Sequence, residues 1–149
     1  MKTRIIGTGS YLPETVVTND DLSKIMDTSD EWISSRTGIR ARHLVKEETT
    51  ASMSTEAAKR AMENAGVTAD EIDLIILGTV SPDYVTPACA CEVQAAIGAK
   101  NAVAFDINAA CSGFMFCLKY RERIHTGRTL SNSFNFGGGD AFQDHRLEG

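Results

Sequence analysis

Cys111 is the residue of this 149-residue chain best suited to chemistry, and it sits in the stretch DINAACSGFMFCL, residues 106–118. Apolar-rich chain runs into Asn108-Ala109-Ala110, the thiol follows, and Ser112-Gly113 open a second apolar run. A thiolate is a strong nucleophile, and the small neighbours Ala109, Ala110, Ser112 and Gly113 permit a sharp turn with room for an acyl group. The residues alone leave two readings open: a nucleophilic cysteine and a small buried apolar one. The second is the expectation for Cys89, Cys91 and Cys117, because Cys89-x-Cys91 is not the paired C-x-x-C of a structural zinc site and no metal is expected. His43, His125 and His145 are read as surface or structural, so no triad is assembled around the thiol.

Whether the thiol is presented depends on the elements that flank it. AVAFDI, residues 102–107, reads as a strand, and a helix is expected over 112–126 up to Gly127, which sets Cys111 at a strand-to-helix seam. Open α/β sheets present reactive groups at such seams. A helix N-terminus has unpaired N–H groups and about half a positive charge, which stabilise a thiolate and can also stabilise an oxyanion.

Upstream, DLIILGTV at 73–80 is a continuous apolar run of strand length, as expected of a strand buried on both faces. A helix over 50–64 is read from Met53, Ala57, Ala61 and Met62 at helical spacing, with Gly66 as its stop. Pro87 opens a helix to Ile97 that Gly98 ends. Two short helices follow from Asn19-Asp20-Asp21 and Thr28-Ser29-Asp30 as caps, and RIIGTGSYL at 4–12 reads as a first strand. Its Gly7-x-Gly9 lacks the third glycine of a dinucleotide fingerprint. The alternation implies an α/β fold with a mostly parallel or mixed sheet and helices packed on it. Residues 1–127 are read as one domain and 128–149 as an irregular glycine-rich tail.

The formal net charge of −5 excludes a general nucleic-acid binder, and no apolar window has the length of a membrane span. With no apolar signal core near Met1, a cytoplasmic location is expected. Arg36, Arg40, Arg42 and Lys46 form a local basic stretch, open to reading as a solvated face or as a site that attracts an anionic ligand.

DINAACSGF, together with WISSRTGI at 32–39 and TPACACEVQAAIG at 86–98, resembles the N-terminal half of a β-ketoacyl-acyl-carrier-protein synthase III, a condensing enzyme of the thiolase-like fold. The likeness covers residues 3–127, with the motifs in the family's order. It implies that Cys111 takes an acyl group from acyl-CoA as a thioester, before condensation with malonyl-acyl carrier protein in the first step of fatty-acid synthesis. It also implies that Trp32 stacks on the adenine of coenzyme A, with Thr28 and Arg36 at its nucleotide end. Without the resemblance Trp32 reads as a core anchor. Thr86, before Pro87, corresponds to a loop of the family's homodimer interface that reaches the partner's acyl pocket. Coenzyme A is thus a substrate, and no cofactor is expected.

The family also uses a histidine in an H-Q-A-N-like motif and an asparagine in a G-N-T-S-like motif, and neither motif occurs in these residues. Condensation is therefore expected to be incomplete in this chain, with a non-catalytic fragment or partner subunit that dimerises or binds coenzyme A as the alternative. LSNSFNFGGGDAF at 130–142 resembles the glycine-rich terminal loop of chain-elongating synthases, which implies a second oxyanion N–H from Gly137 or Gly138. An irregular replacement for a strand is the other reading of that stretch.

Overall fold

The computed structural model describes residues 5–124 and the backbone of residues 132–137. They form two compact units, one of residues 12–48 and one of residues 5–11, 49–124 and 132–137.

The smaller unit is built on a hairpin of β1, Thr15–Thr18, and β2, Ala41–Leu44, paired antiparallel from Thr15↔Leu44 to Thr18↔Ala41. Between its strands lie α1, Asn19–Ser23, and α2, Asp30–Thr37. The cap of α1 is Thr18, whose hydroxyl accepts from the Asp21 N–H while the Asp21 carboxylate accepts from the Thr18 N–H. This frees Asn19 to be buried. Its side-chain amide donates to Asp30 Oδ1 and to the Ile39 carbonyl, both at 2.7 Å, and its oxygen accepts from Arg42 Nη2 at 2.6 Å. Arg42 also donates to the Val17 carbonyl at 3.2 Å and is only 6% exposed. Arg42 is therefore a buried tie rather than part of a solvated basic face, because Asn19 and the strand carbonyl satisfy its guanidinium.

The larger unit holds α3, Thr50–Ala65; β3, Ile72–Gly78; α4, Cys89–Ile97; β4, Val103–Ile107; α5, Gly113–Ile124; and β5, Asn132–Gly137. Its three strands run parallel in the order β4-β3-β5. β3 is central, and its two-residue period divides its side chains between two layers. Ile75 and Leu77 pack with Ala58 of α3 and with Cys89, Ala90 and Val93 of α4. Leu74 and Ile76 pack with Cys117 of α5, supported by Phe105 and Ile107. Ile72 joins the first layer because the register shifts between Ile72 and Leu74.

Two corrections concern strands. The described part of the stretch expected to open the chain as a strand, residues 5–12, forms none. The 5–11 segment instead lies on α3, where the Thr8 N–H donates to Asn64 Oδ1 at 3.0 Å and Arg60 Nη1 donates to the Ser10 carbonyl at 2.7 Å. In the stretch expected to be irregular, Asn132–Gly137 is strand β5, paired from Ile72↔Asn132 to Gly78↔Gly137. The rest of the 128–149 expectation lies outside the described residues, as do His125, His145 and the expected end of the last helix.

Candidate active site

The thiol of Cys111 is exposed and free, in a one-turn 3-10 segment, Ala110–Ser112, that joins β4 to α5. Ser112 closes the turn, its N–H donating to the Ala109 carbonyl at 3.1 Å and its hydroxyl to the same oxygen at 2.7 Å. Ala110 takes a left-handed φ of 45°, a conformation an L side chain adopts at a cost. The small residues noted around the thiol thus serve this reversal. Gly113 brings the first turn of α5 against the end of β3, since a Cβ there would stand 3.5 Å from Gly78 Cα. The seam expected from sequence is present, and of the two readings left open for Cys111 the buried one is not met.

Gly78 pairs with Ile107 on one side and with Gly137 on the other, so all three parallel strands end in one row. Gly137 and the turn carrying Cys111 therefore share the C-terminal edge of the sheet. Gly138 lies outside the described residues. The other thiols differ in kind. Cys89 and Cys117 are fully buried. Burial pushes Cys89 up to about 12, the carboxylates of Asp106, Asp83 and Glu92 adding to it, and burial pushes Cys117 up to about 11. Cys91 is half-buried, its thiol 3.7 Å from the Ala104 carbonyl.

One residue of the DINAACSGF stretch has a role that sequence reasoning missed. Asp106, on β4, accepts the N–H groups of Cys89 and Ala90, both at 2.8 Å. It thereby caps α4, whose own N-cap residue, Ala88, supplies no side-chain bond. An acid inside an apolar strand run was the available signal. The α4 helix starts at Cys89 rather than at Pro87, which belongs to the preceding loop and follows a cis peptide bond from Thr86. Thr86 is exposed, beside Val85 at 99% exposure.

Thr28, Trp32 and Arg36 belong to the smaller unit, Cys111, Thr86 and Gly137 to the larger. Ser29 caps α2 by accepting from the Trp32 N–H at 3.1 Å, and Gly38 ends it at φ 75°. Trp32 and Arg36, one turn apart, lie on the same side of α2, and the guanidinium stands 4.6 Å from the indole centroid. Trp32 is 54% exposed, which corrects its reading as a core anchor: the helix has no buried residue. Thr28 Oγ1 is shut off from solvent without a hydrogen-bond partner. Arg40 and Lys46 are exposed, and His43 Nδ1 lies 2.6 Å from the Pro13 carbonyl, a structural contact.

Residues 33–131 match the family model described as thiolase, N-terminal domain. The chain is 60% identical over 124 residues to a β-ketoacyl-[acyl-carrier-protein] synthase III of Clostridium acetobutylicum, covering 83% of this chain and 38% of that protein. It is 59% identical over 122 residues to the protein of the same description in Xanthomonas campestris pv. campestris, covering 81% and 38%. The crystal structure of 3-oxoacyl-[acyl-carrier-protein] synthase III from Aquifex aeolicus superposes with a TM-score of 0.90 at 48% identity, covering 95% of this chain and 46% of that one. The chain thus spans about 38% of the length of the curated relatives it matches. With the parallel sheet, the strand-to-helix thiol and these matches together, the chain belongs to the thiolase N-terminal domain family.

Proposed function

We propose that this chain carries the acyl-accepting part of a β-ketoacyl-acyl-carrier-protein synthase III, an acyltransferase that starts fatty-acid synthesis. The observation that carries the proposal is the free, exposed Cys111 thiol on a strained turn at the C-terminal edge of a parallel sheet. Cys111 Sγ, as thiolate, attacks the carbonyl of acyl-CoA. The new C–S bond forms as the old one breaks, and coenzyme A leaves as a thiolate that takes up the proton Cys111 lost. N–H groups at the start of α5, and one from Gly137 or Gly138, are the donors we assign to the oxyanion. The step calls for no resident cofactor.

For coenzyme A we assign Trp32, Arg36 and Thr28. A purine stacks on an exposed indole, a guanidinium meets phosphate oxygens by its planar fork, and Thr28, whose buried hydroxyl lacks a partner, would have to turn outward to bond the nucleotide. Condensation with malonyl-acyl carrier protein draws on histidine and asparagine motifs that these residues do not contain. Acyl transfer is therefore the step we assign to this chain's own side chains. We further infer a homodimer in which the exposed Thr86 loop meets the partner, and a cytoplasmic setting, which suits four cysteines outside any disulfide. No helix among the described residues is long and apolar enough to cross a membrane.

Incubation with acetyl-CoA followed by intact-mass measurement tests the proposal. One acetyl adduct is expected, absent in Cys111→Ser; no adduct, or one that persists in the variant, overturns it. Arg36→Ala is expected to weaken coenzyme A binding about 10-fold, measured by calorimetry, through the loss of a charge-assisted hydrogen bond to phosphate.

A further inference from the structure

We propose that Asn19, braced by Arg42, is a positioning residue for the coenzyme A site: its buried side chain docks α2 and so sets where Trp32 and Arg36 stand. The inference rests on the assignment of Trp32 and Arg36 to coenzyme A. All four residues belong to the smaller unit.

Apolar packing does little to hold α2. None of its eight residues is buried, and Trp32 and Arg36 are exposed. A helix of that length is marginal by itself in water, so its place depends on what ties it down. Both of its ends converge on one side chain. Asn19 Nδ2 donates to the carboxylate of Asp30, the first residue of the helix, and to the carbonyl of Ile39, just past the Gly38 stop, both at 2.7 Å. Asn19 is 1% exposed, so these bonds are made away from solvent, where breaking them costs most.

The hub is itself fixed to the hairpin. The Asn19 N–H donates to the Arg40 carbonyl at 3.2 Å, Oδ1 accepts from Arg42 Nη2 at 2.6 Å, and Arg42 Nη1 reaches the Val17 carbonyl of β1 at 3.2 Å. A guanidinium only donates, so it must meet the amide oxygen, and the amide nitrogen is thereby aimed at Asp30 and Ile39. The path runs from β1 through Arg42 of β2 and Asn19 to the two ends of α2. A ligand that binds only the docked helix meets an affinity reduced by the docked fraction. Loosening the hub therefore raises the coenzyme A concentration required, and saturating ligand restores the docked form.

Asn19→Asp is the test, in the whole chain. It keeps the side-chain size and an oxygen for Arg42, but replaces the two donated bonds with an acceptor that repels Asp30. Trp32 is the only tryptophan, so quenching of its emission by coenzyme A reads this site alone. The quenching midpoint and the half-saturating acetyl-CoA concentration for acylation of Cys111 should each rise about 10-fold, with the maximal rate at its parent value. Exchanging the partners, Asn19→Asp with Asp30→Asn, re-forms the bond in the opposite direction and should recover most of the affinity. If Asn19→Asp fails to fold, Asp30→Ala, which removes one of the two acceptors, carries the test with a rise of about 3-fold or more. A parent chain that shows no quenching overturns the coenzyme A assignment and this inference with it. Quenching in the parent with unchanged midpoints in the variant, a lowered maximal rate in place of raised midpoints, or no recovery in the exchanged pair overturns this inference alone.

Discussion

Ala110 carries a φ of 45° immediately before the thiol, so the turn holds a local cost that the flanking strand and helix sustain. A β-branched residue tolerates this conformation worse than alanine does. Ala110→Val is therefore expected to lose about 1–2 kcal/mol in denaturant unfolding and to slow alkylation of Cys111, whereas Ala110→Gly keeps near-parent stability. Alkylation also separates the thiols. Near neutral pH, iodoacetamide should label Cys111 first, while Cys89 and Cys117, buried and pushed up to about 12 and about 11, react only on unfolding; peptide mapping reads the order. Cys111 was legible in the sequence because small residues, a strand end and a helix start coincide there. Exposure of Trp32 was not, since a lone tryptophan ordinarily anchors a core. Nor was burial of Arg42, whose partner Asn19 lies 23 positions away.

Helices α2, α3 and α4 end where left-handed glycines, Gly38, Gly66 and Gly98, stop them, and all three stops were readable. The start of α4 was less so, because its cap comes from another element. Asp106→Ala leaves the Cys89 and Ala90 N–H groups without their acceptor and is expected to lose about 1–3 kcal/mol, measured by chemical unfolding. Strand β3 was legible as a run buried on both sides, and the two clusters flanking it give the reason. Strand β5 was hidden: its polar sequence is a poor strand by itself, and the parallel ladder to β3 overrides that preference. The opening segment failed the other way, since residues that favour a strand are held on α3 by side chains of that helix.

Across the whole molecule, apolar surface remains uncovered. On α5 alone Phe114, Met115, Phe116, Tyr120 and Ile124 are 40–66% exposed. Faces of this kind mark association, so light scattering is expected to show concentration-dependent oligomers, reduced in Met115→Lys. A concentration-independent monomer would contradict this. Stability should also respond to alkali. Unfolded cysteine ionises near 9.0, whereas folded Cys89 and Cys117 hold their protons to about 12 and about 11. The folded state therefore binds more protons above pH 9.0, so the contribution of these two thiols to stability is constant below that value and falls as pH rises through this window. Unfolding midpoints across that range measure the fall.

The Gly7-x-Gly9 pair, so suggestive of a nucleotide loop, has another use. A methyl group added at either position would run into the α3 backbone, at Ala61 O from Gly7 and at Ala57 O from Gly9. The two glycines are valuable for the atoms they omit: they carve a track along which the beginning of the chain can ride the helix. Give either one a side chain and that leading segment must lift away, though every residue of the sulfur-bearing turn stays the same.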